Sequence, residues 1–266
     1  MKEMPVSYQT MLTRLEQKER RREREPAGPR PLKQAGEQLD GKVPDGVRRG
    51  LETGFQKAFA LLFGPGGTRL VERTLRRETL ARDEALWHRS RTPGEERAAL
   101  KRLRRGERVS RSLTSAAAGA EGAVLGLLGI GLPDIPVFLG VLLLGLYESA
   151  RRYGFSYESA EERCYLLLVL QGALAEGEER AALGLRADRL GRALDHGWEV
   201  SCSVEEEIAA ACRALAGRLL TAKFVQGIPL VGAVGGAVNL TLYRRVSYYG
   251  ALKYCKRFLE KRVRGI

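Results

Sequence analysis

The sequence predicts an all-α protein, a helical bundle built around two apolar hairpins that glycine and proline interrupt. Apolar residues recur at helical spacing along much of the 266-residue chain, and no convincing strand pattern is present. Two apolar runs, at 113–147 and 224–243, each break at a turn containing glycine and proline. Hydrophobic residues make up 44% of the chain and charged residues 29%, which is typical of a folded protein with a sizeable core.

Residues 1–47 are predicted to form a charged N-terminal helix and a proline-rich linker. The run 7–25 is helix-prone and strongly charged, with a short apolar stripe at Met11, Leu12 and Leu15. It could be a solvated helix or a basic surface anchor, and the charge pattern favours the solvated helix. The four prolines of the following stretch predict a loop.

A helical domain is predicted over 48–266, and it begins with an aromatic helix. Phe55, Phe59, Leu62 and Phe63 recur at helical spacing and predict a core face. A glycine- and proline-rich turn at 64–67 ends this helix. Two arginine-rich amphipathic helices are then predicted, at 68–91 and at 94–112.

The first apolar run predicts a hairpin, with one helix near 113–130 and a second near 135–153. Asp134 precedes Ile135 and Pro136, and it is well placed to cap the second helix. The uncharged stretches at 122–133 and 135–147 are both shorter than the roughly 20 apolar residues that a membrane span needs. A hairpin in a soluble core is therefore favoured, with an integral membrane hairpin as the alternative.

The second half of the chain predicts a helix at 158–177 with acidic residues in its first turn, then a loop-rich stretch to about 203. Ser203 and Glu206 form a capping-box pattern that opens a helix running to about 223. A basic helix over 244–264 closes the chain. The two apolar runs also share a nearby GxxxG pattern, which predicts that the hairpins pack on each other through Gly122, Gly126, Gly232 and Gly236.

The formal net charge of +13 is concentrated at the two ends of the chain. Residues 1–112 carry a net charge of +11 and residues 224–266 one of +7, whereas the middle is slightly acidic. Anionic phosphates are the natural partners of such ends. We expect an anionic membrane surface or a membrane protein complex as partner, and nucleic acid is disfavoured because no binding motif is recognisable.

Cysteine usage and the first residues of the chain indicate a cytoplasmic protein in contact with the membrane. The four cysteines show no CxxC spacing, and Cys164 and Cys212 lie among apolar residues, where a thiol behaves as a small hydrophobic group. Residues 1–31 are charged and lack the apolar segment of a secretory signal.

No catalytic signature is recognisable in the sequence, and no metal or cofactor is expected. The two histidines, His88 and His196, stand outside any zinc motif, and no serine lies in G-x-S-x-G. Candidate binding residues are instead polar or charged side chains within or beside the apolar runs, where buried polar groups need partners. They are Glu121, Asp134, Arg151, Arg152, Lys223, Gln226 and Asn239.

Three stretches resemble the EcsC family: LPDIP at 132–136, YGF at 153–155 and KFVQGIPLVGAVGGAVN at 223–239. The resemblance covers about 50–260 and leaves the charged N-terminus outside. Ser156 stands where the family often has an acidic residue. The resemblance implies a bacterial protein whose founding relative is encoded beside an ABC transporter, and it implies no particular reaction or site residue.

These observations favour a non-enzymatic helical protein that associates peripherally with the membrane or with a membrane complex of the ABC transporter type. The first alternative is a hydrolase acting on a lipid or peptide, with Glu121 and Asp134 as a carboxylate pair. The second alternative is the integral membrane hairpin.

Overall fold

The computed structural model describes residues 6–24, 45–67, 94–95, 98–103, 135–225 and 235–265, and no strand occurs among them. The all-α prediction is confirmed. The helices are α1 (Val6–Arg24), α2 (Asp45–Phe63), α3 (Ile135–Arg152), α4 (Ala160–Leu174), α5 (Gly177–Asp195), α6 (Val204–Val225) and α7 (Gly235–Arg264).

Helices α2 and α3 begin and end close to their predicted bounds. The predicted aromatic face of α2 is confirmed, because Phe55, Phe59 and Leu62 are buried. Helix α3 begins at Ile135, as the proline-bounded turn predicts. The capping residue Asp134 and the first arm of the hairpin lie outside the described residues.

Serine side chains cap two helices. At α4 the hydroxyl of Ser159 accepts from the backbone N–H of Glu162 at 3.2 Å. At α6 the hydroxyl of Ser203 accepts from the backbone N–H of Glu206 at 3.2 Å, which confirms the predicted cap. Each bond satisfies a donor that has no partner within its own helix.

Helix α5 corrects the sequence prediction, which placed a loop-rich stretch between 177 and 203. Its two internal glycines resemble helix breakers, yet each lies at a close contact between helices. A Cβ at Gly184 would lie 3.0 Å from the Tyr249 hydroxyl, and one at Gly191 would lie 2.9 Å from the Tyr165 ring. These glycines therefore allow α5 to approach α4 and α7 closely.

Helix α7 is longer than the predicted basic helix over 244–264, and it runs through the centre of the protein. Residues 251–260 are all buried, and Lys253 has no exposed surface. Helices α1, α3, α4 and α5 all pack against α7. The basic tail that the sequence suggests is therefore mostly a core element.

Five helices close a ring of packing contacts in the order α2, α3, α7, α4 and α6, with α6 returning to α2. Helix α5 packs outside the ring against α4 and α7, and α1 packs against α7 and α5. Leucine, phenylalanine and tyrosine side chains from all these helices form one continuous hydrophobic core. Burial of this apolar surface is the dominant favourable contribution to folding.

Helices α3 and α7 follow the turns of the two apolar runs, and they pack closely through small residues. A Cβ at Gly145 would collide with the Ser247 hydroxyl, and one at Gly250 would lie 2.5 Å from Cδ2 of Leu146. The surroundings of the glycines predicted for such a contact, at 122, 126, 232 and 236, lie outside the described residues.

Helix α1 is not the solvated helix that its charge pattern favours. It buries Tyr8, Leu15 and Glu19 against the bundle. The domain boundary between residues 47 and 48 stays a prediction. None of the helices in the described ranges combines the length and apolar character that a membrane span requires.

Candidate functional site

A groove of about 770 Å³ lies between α5 and α6 at the C-terminal end of α4. Both helices pack on α4, so its last turn forms part of the floor. The apolar part of the lining includes Leu174, Leu183 and Leu220. Small residues line α5 and α6 here, which leaves the groove open to a ligand. These small residues are Ala182, Ala210, Ala214 and Gly217.

Basic side chains dominate the charged part of the groove lining. Arg48, Arg186, Arg213 and Arg218 contribute four guanidinium groups, against the single carboxylate of Glu179. A guanidinium carries five N–H donors in a planar fork and stays charged at any physiological pH. The groove is therefore suited to anionic groups.

Arg186 is oriented by a short chain of polar contacts that runs from α4 through Glu207 of α6. The buried amide of Gln171 donates to Oε2 of Glu207 at 2.6 Å, and Arg186 donates to Oε1 of the same carboxylate at 2.6 Å. The Arg186 side chain remains 57% exposed. Its position is thus set by α4 and α6, while donors remain accessible to solvent.

Three arginines converge on the C-terminal carbonyls of α4. Arg180 donates to the carbonyl of Ala175 at 2.9 Å, Arg245 donates to the same carbonyl at 2.7 Å, and Arg218 donates to that of Leu174. Carbonyls in the last turn of a helix lack helical partners and lie at the negative end of its dipole. This arrangement satisfies them and holds Arg218 at the groove.

A second charged cluster is buried between α1, α5 and α7. Nζ of Lys253 donates to Oε1 of Glu19 at 2.8 Å and to the carbonyl of Gly184 at 2.9 Å, and it is also paired with Asp188. Nζ of Lys256 donates to Glu19 and Asp188, at 2.6 Å each. Two ammonium groups and two carboxylates therefore neutralise each other inside the protein.

The two lysines of this cluster stay protonated. Burial alone would lower the pKa of Lys253, but the carboxylates of Asp188 and Glu19 outweigh it, so the pKa lies above its ordinary value. The pKa of Lys256 is raised for the same reason, with Asp188 contributing most among the attractive charges. Neither lysine is therefore a candidate general base at neutral pH.

Arg257 ties α7 to α4 and α5. Its guanidinium donates to both oxygens of Glu162 at 2.8 Å and to both oxygens of Asp195 at 3.0 and 3.1 Å. It also lies over the rings of Phe155 and Tyr165, at 4.2 and 4.7 Å from their centroids. The charge is fully paired, so Arg257 is assigned to the fold and not to a binding surface.

The buried cysteines behave as the sequence predicts. Cys164 and Cys212 are buried, free thiols in the core. Burial raises the pKa of Cys212 to about 12, and burial also raises that of Cys164. Both therefore remain neutral at physiological pH and are not activated nucleophiles.

Of the seven predicted binding residues, the structure describes the side chains of Arg151 and Arg152 alone. Arg151 is exposed and Arg152 is buried, both at the C-terminal end of α3 and outside the groove lining. Lys223 and Asn239 lie within α6 and α7, but their side chains are outside the described residues. Glu121, Asp134 and Gln226 are also outside them, so any convergence of these groups stays a prediction.

The groove arginines are not among the residues that the sequence pattern predicted. Arginine is frequent along the whole chain, so Arg48, Arg186 and Arg213 carry no local signal that sets them apart. Recognising α5 as a helix would have placed Glu179, Ala182, Leu183 and Arg186 on one face, spaced three or four residues apart. Within the described ranges, no cluster of three side chains suited to a metal ion is found.

Comparison with known proteins gives one clear result. Neither the curated proteins nor the solved structures include a match to this chain. The model of the EcsC protein family matches residues 9–259. The match begins well before the expected start near residue 50, and it includes most of α1, in agreement with the packing of α1 on α7. The chain belongs to the EcsC protein family.

Proposed function

We propose that this EcsC-family protein is a non-enzymatic, cytoplasmic helical protein that associates peripherally with anionic membrane surfaces. The proposal rests on the distribution of charged side chains between the core and the surface. The buried charged side chains are nearly balanced, with five basic and four acidic groups. Almost all of the net charge of +13 therefore lies outside the described core.

Each basic group near an anionic bilayer contributes about 1 kcal/mol to the free energy of membrane binding, and the attraction falls off within a Debye length. Helix α1 offers such groups, because Arg14, Lys18, Arg20 and Arg21 are exposed along it. In contrast, the three paired cations of α7 are buried and cannot contact a membrane while the fold is intact. Helix α7 exposes only Arg244 and Arg264 among its described basic residues, against four on α1, so the N-terminal helix is the better supported of the two basic ends.

Co-sedimentation with vesicles tests the proposal. We expect binding to vesicles rich in phosphatidylglycerol, no binding to pure phosphatidylcholine, and release as salt is raised from 50 to roughly 500 mM. Equal binding to both vesicle types, or binding that salt does not weaken, would refute peripheral electrostatic association.

A matched pair of variants tests the role of α1. Arg20→Glu/Arg21→Glu and Arg151→Glu/Arg189→Glu change the net charge equally, and all four residues are exposed. Only the first pair lies on α1, so we expect it to weaken vesicle binding much more than the second pair. An equal loss for both would show that overall charge, and not α1, determines binding.

A further inference from the structure

The groove between α5 and α6 has the dimensions of a small-molecule site. Its volume of about 770 Å³ falls inside the range of roughly 300–1,000 Å³ that is typical of ligand pockets. It lies between helices on the surface of the bundle, where ligand sites are often found.

The groove has an apolar floor and basic side chains on both of its walls. Leucines from α4, α5 and α6 and several small residues form the apolar part, and the small residues leave room for a ligand chain. Arg213 on α6 and Arg186 on α5 stand on the two walls of the groove. Such a groove is complementary to a molecule with an anionic head and an apolar tail.

The cationic groups are partly preorganised. Arg186 is held by Glu207, and Arg218 by the carbonyl of Leu174 and the carboxylate of Glu176. Each uses only part of its guanidinium in these contacts. Arg213 is exposed and makes no hydrogen bond or ion pair with any other described residue. Donors held in place before binding lower the entropic cost of binding.

We propose that this groove binds a single-chain anionic amphiphile, with its phosphate or carboxylate head at Arg213 and Arg186 and its alkyl chain along the apolar floor. The bidentate donors of arginine match both head groups. The inference goes beyond the proposed function, since peripheral attachment through surface charge does not need an occupied groove.

Isothermal titration calorimetry on the full chain tests the assignment with four probes below their aggregation limits: decyl phosphate, decanoate, decanol and inorganic phosphate. We expect decyl phosphate or decanoate to bind at least about 10-fold more tightly than decanol or inorganic phosphate. The comparison with decanol isolates the effect of the charged head group, and the comparison with inorganic phosphate isolates the effect of the alkyl chain.

Two variants locate the site. Arg213→Ala removes one charged donor, and we expect about 10-fold weaker binding of the anionic amphiphile. Gly217 lines the groove, and a Cβ there would meet nothing within 4 Å, so the side chain of Gly217→Leu starts in open space and takes up part of the groove. We expect Gly217→Leu to abolish binding without lowering the melting temperature. The matched control is Arg189→Ala, an exposed arginine of α5 outside the lining, which leaves affinity unchanged.

Several results would overturn the inference. Inorganic phosphate that binds as tightly as decyl phosphate would show a simple anion site, and decanol that binds as tightly would show a purely apolar one. Unchanged binding in Gly217→Leu would place the ligand elsewhere. Vesicle binding distinguishes this failure from failure of the proposed function, because Gly217→Leu leaves the exposed charges of α1 intact.

Discussion

The ammonium group of Lys253 on α7 donates to the carboxylate of Glu19 on α1 at 2.8 Å, and the two residues lie 234 positions apart in the chain. The contact is buried on both sides, with 0% of the lysine side chain and 7% of the glutamate side chain exposed. It joins the N-terminal helix to the central helix through a charge pair. Its removal should therefore affect the fold as a whole.

We expect Lys253→Met to lower the free energy of unfolding by about 3–5 kcal/mol, because it leaves Glu19 and Asp188 buried with Lys256 as their remaining ammonium partner. Lys253→Met combined with Glu19→Leu should recover part of the loss, since the second change removes an unpaired charge. Urea denaturation measures both. Losses that simply add would contradict a direct coupling between the two residues.

A lysine at position 257 should not be able to reproduce the contacts that Arg257 makes. A planar guanidinium can donate two hydrogen bonds to each of the carboxylates of Glu162 and Asp195. It can at the same time lie flat over the rings of Phe155 and Tyr165, which an ammonium group cannot do. We expect Arg257→Lys to cost at least about 2 kcal/mol in thermal or urea unfolding. The control is Arg189→Lys at an exposed position of α5, where a change within about 0.5 kcal/mol is expected.

Glu260 should make stability depend on pH. Burial first, and the Asp188 carboxylate second, raise the pKa of Glu260 above its ordinary value, although Lys256, Arg192 and Arg264 oppose this. The folded state thus holds this proton more tightly than the unfolded state, so ionised Glu260 reduces stability as pH rises above 4.5.

We therefore expect Glu260→Gln to melt at a higher temperature than the wild type at pH 7, with the difference vanishing below about pH 4.5. The exposed Glu158→Gln serves as the control and should shift the melting temperature little at either pH. A lower melting temperature for Glu260→Gln at pH 7 would mean that the ion pairs of Glu260 outweigh its burial.

Two glycine substitutions should have opposite effects. Gly145→Ala places a methyl group against Ser247 and Tyr243 where α3 meets α7, and overpacking of this kind costs about 1–3 kcal/mol. Gly50→Ala lies in α2 with nothing within 4 Å, so it should stabilise by about 0.5–1 kcal/mol through helix propensity. A melting temperature that rises in both variants would show that the α3–α7 contact can relax, and one that falls in both would contradict the helix-propensity gain at Gly50.

Local signals in the sequence predicted much of the fold. The proline after Ile135 and the serine at 203 mark helix starts because their effects act within one turn. Helix α5 was missed because Gly184 and Gly191 look like breaks in the helical pattern, whereas tertiary contacts require them there.

The charged contacts could not be predicted from local pattern. The carboxylate partners of Lys253 are 65 and 234 positions away, and nothing in the adjacent sequence distinguishes this lysine from an exposed one. The groove could not be predicted from local pattern either, because its lining residues come from α2, α4, α5 and α6. Only the packing of the helices brings these arginines together.

The meeting of three arginines at the end of α4 constrains how the chain can change in length. Adding or deleting one residue within α4 would rotate its terminal carbonyls by about 100° relative to the rest of the helix. The donors come from three other helices and could not all follow. Related chains should therefore conserve the length of α4 and place their insertions in the exposed connection at 196–199.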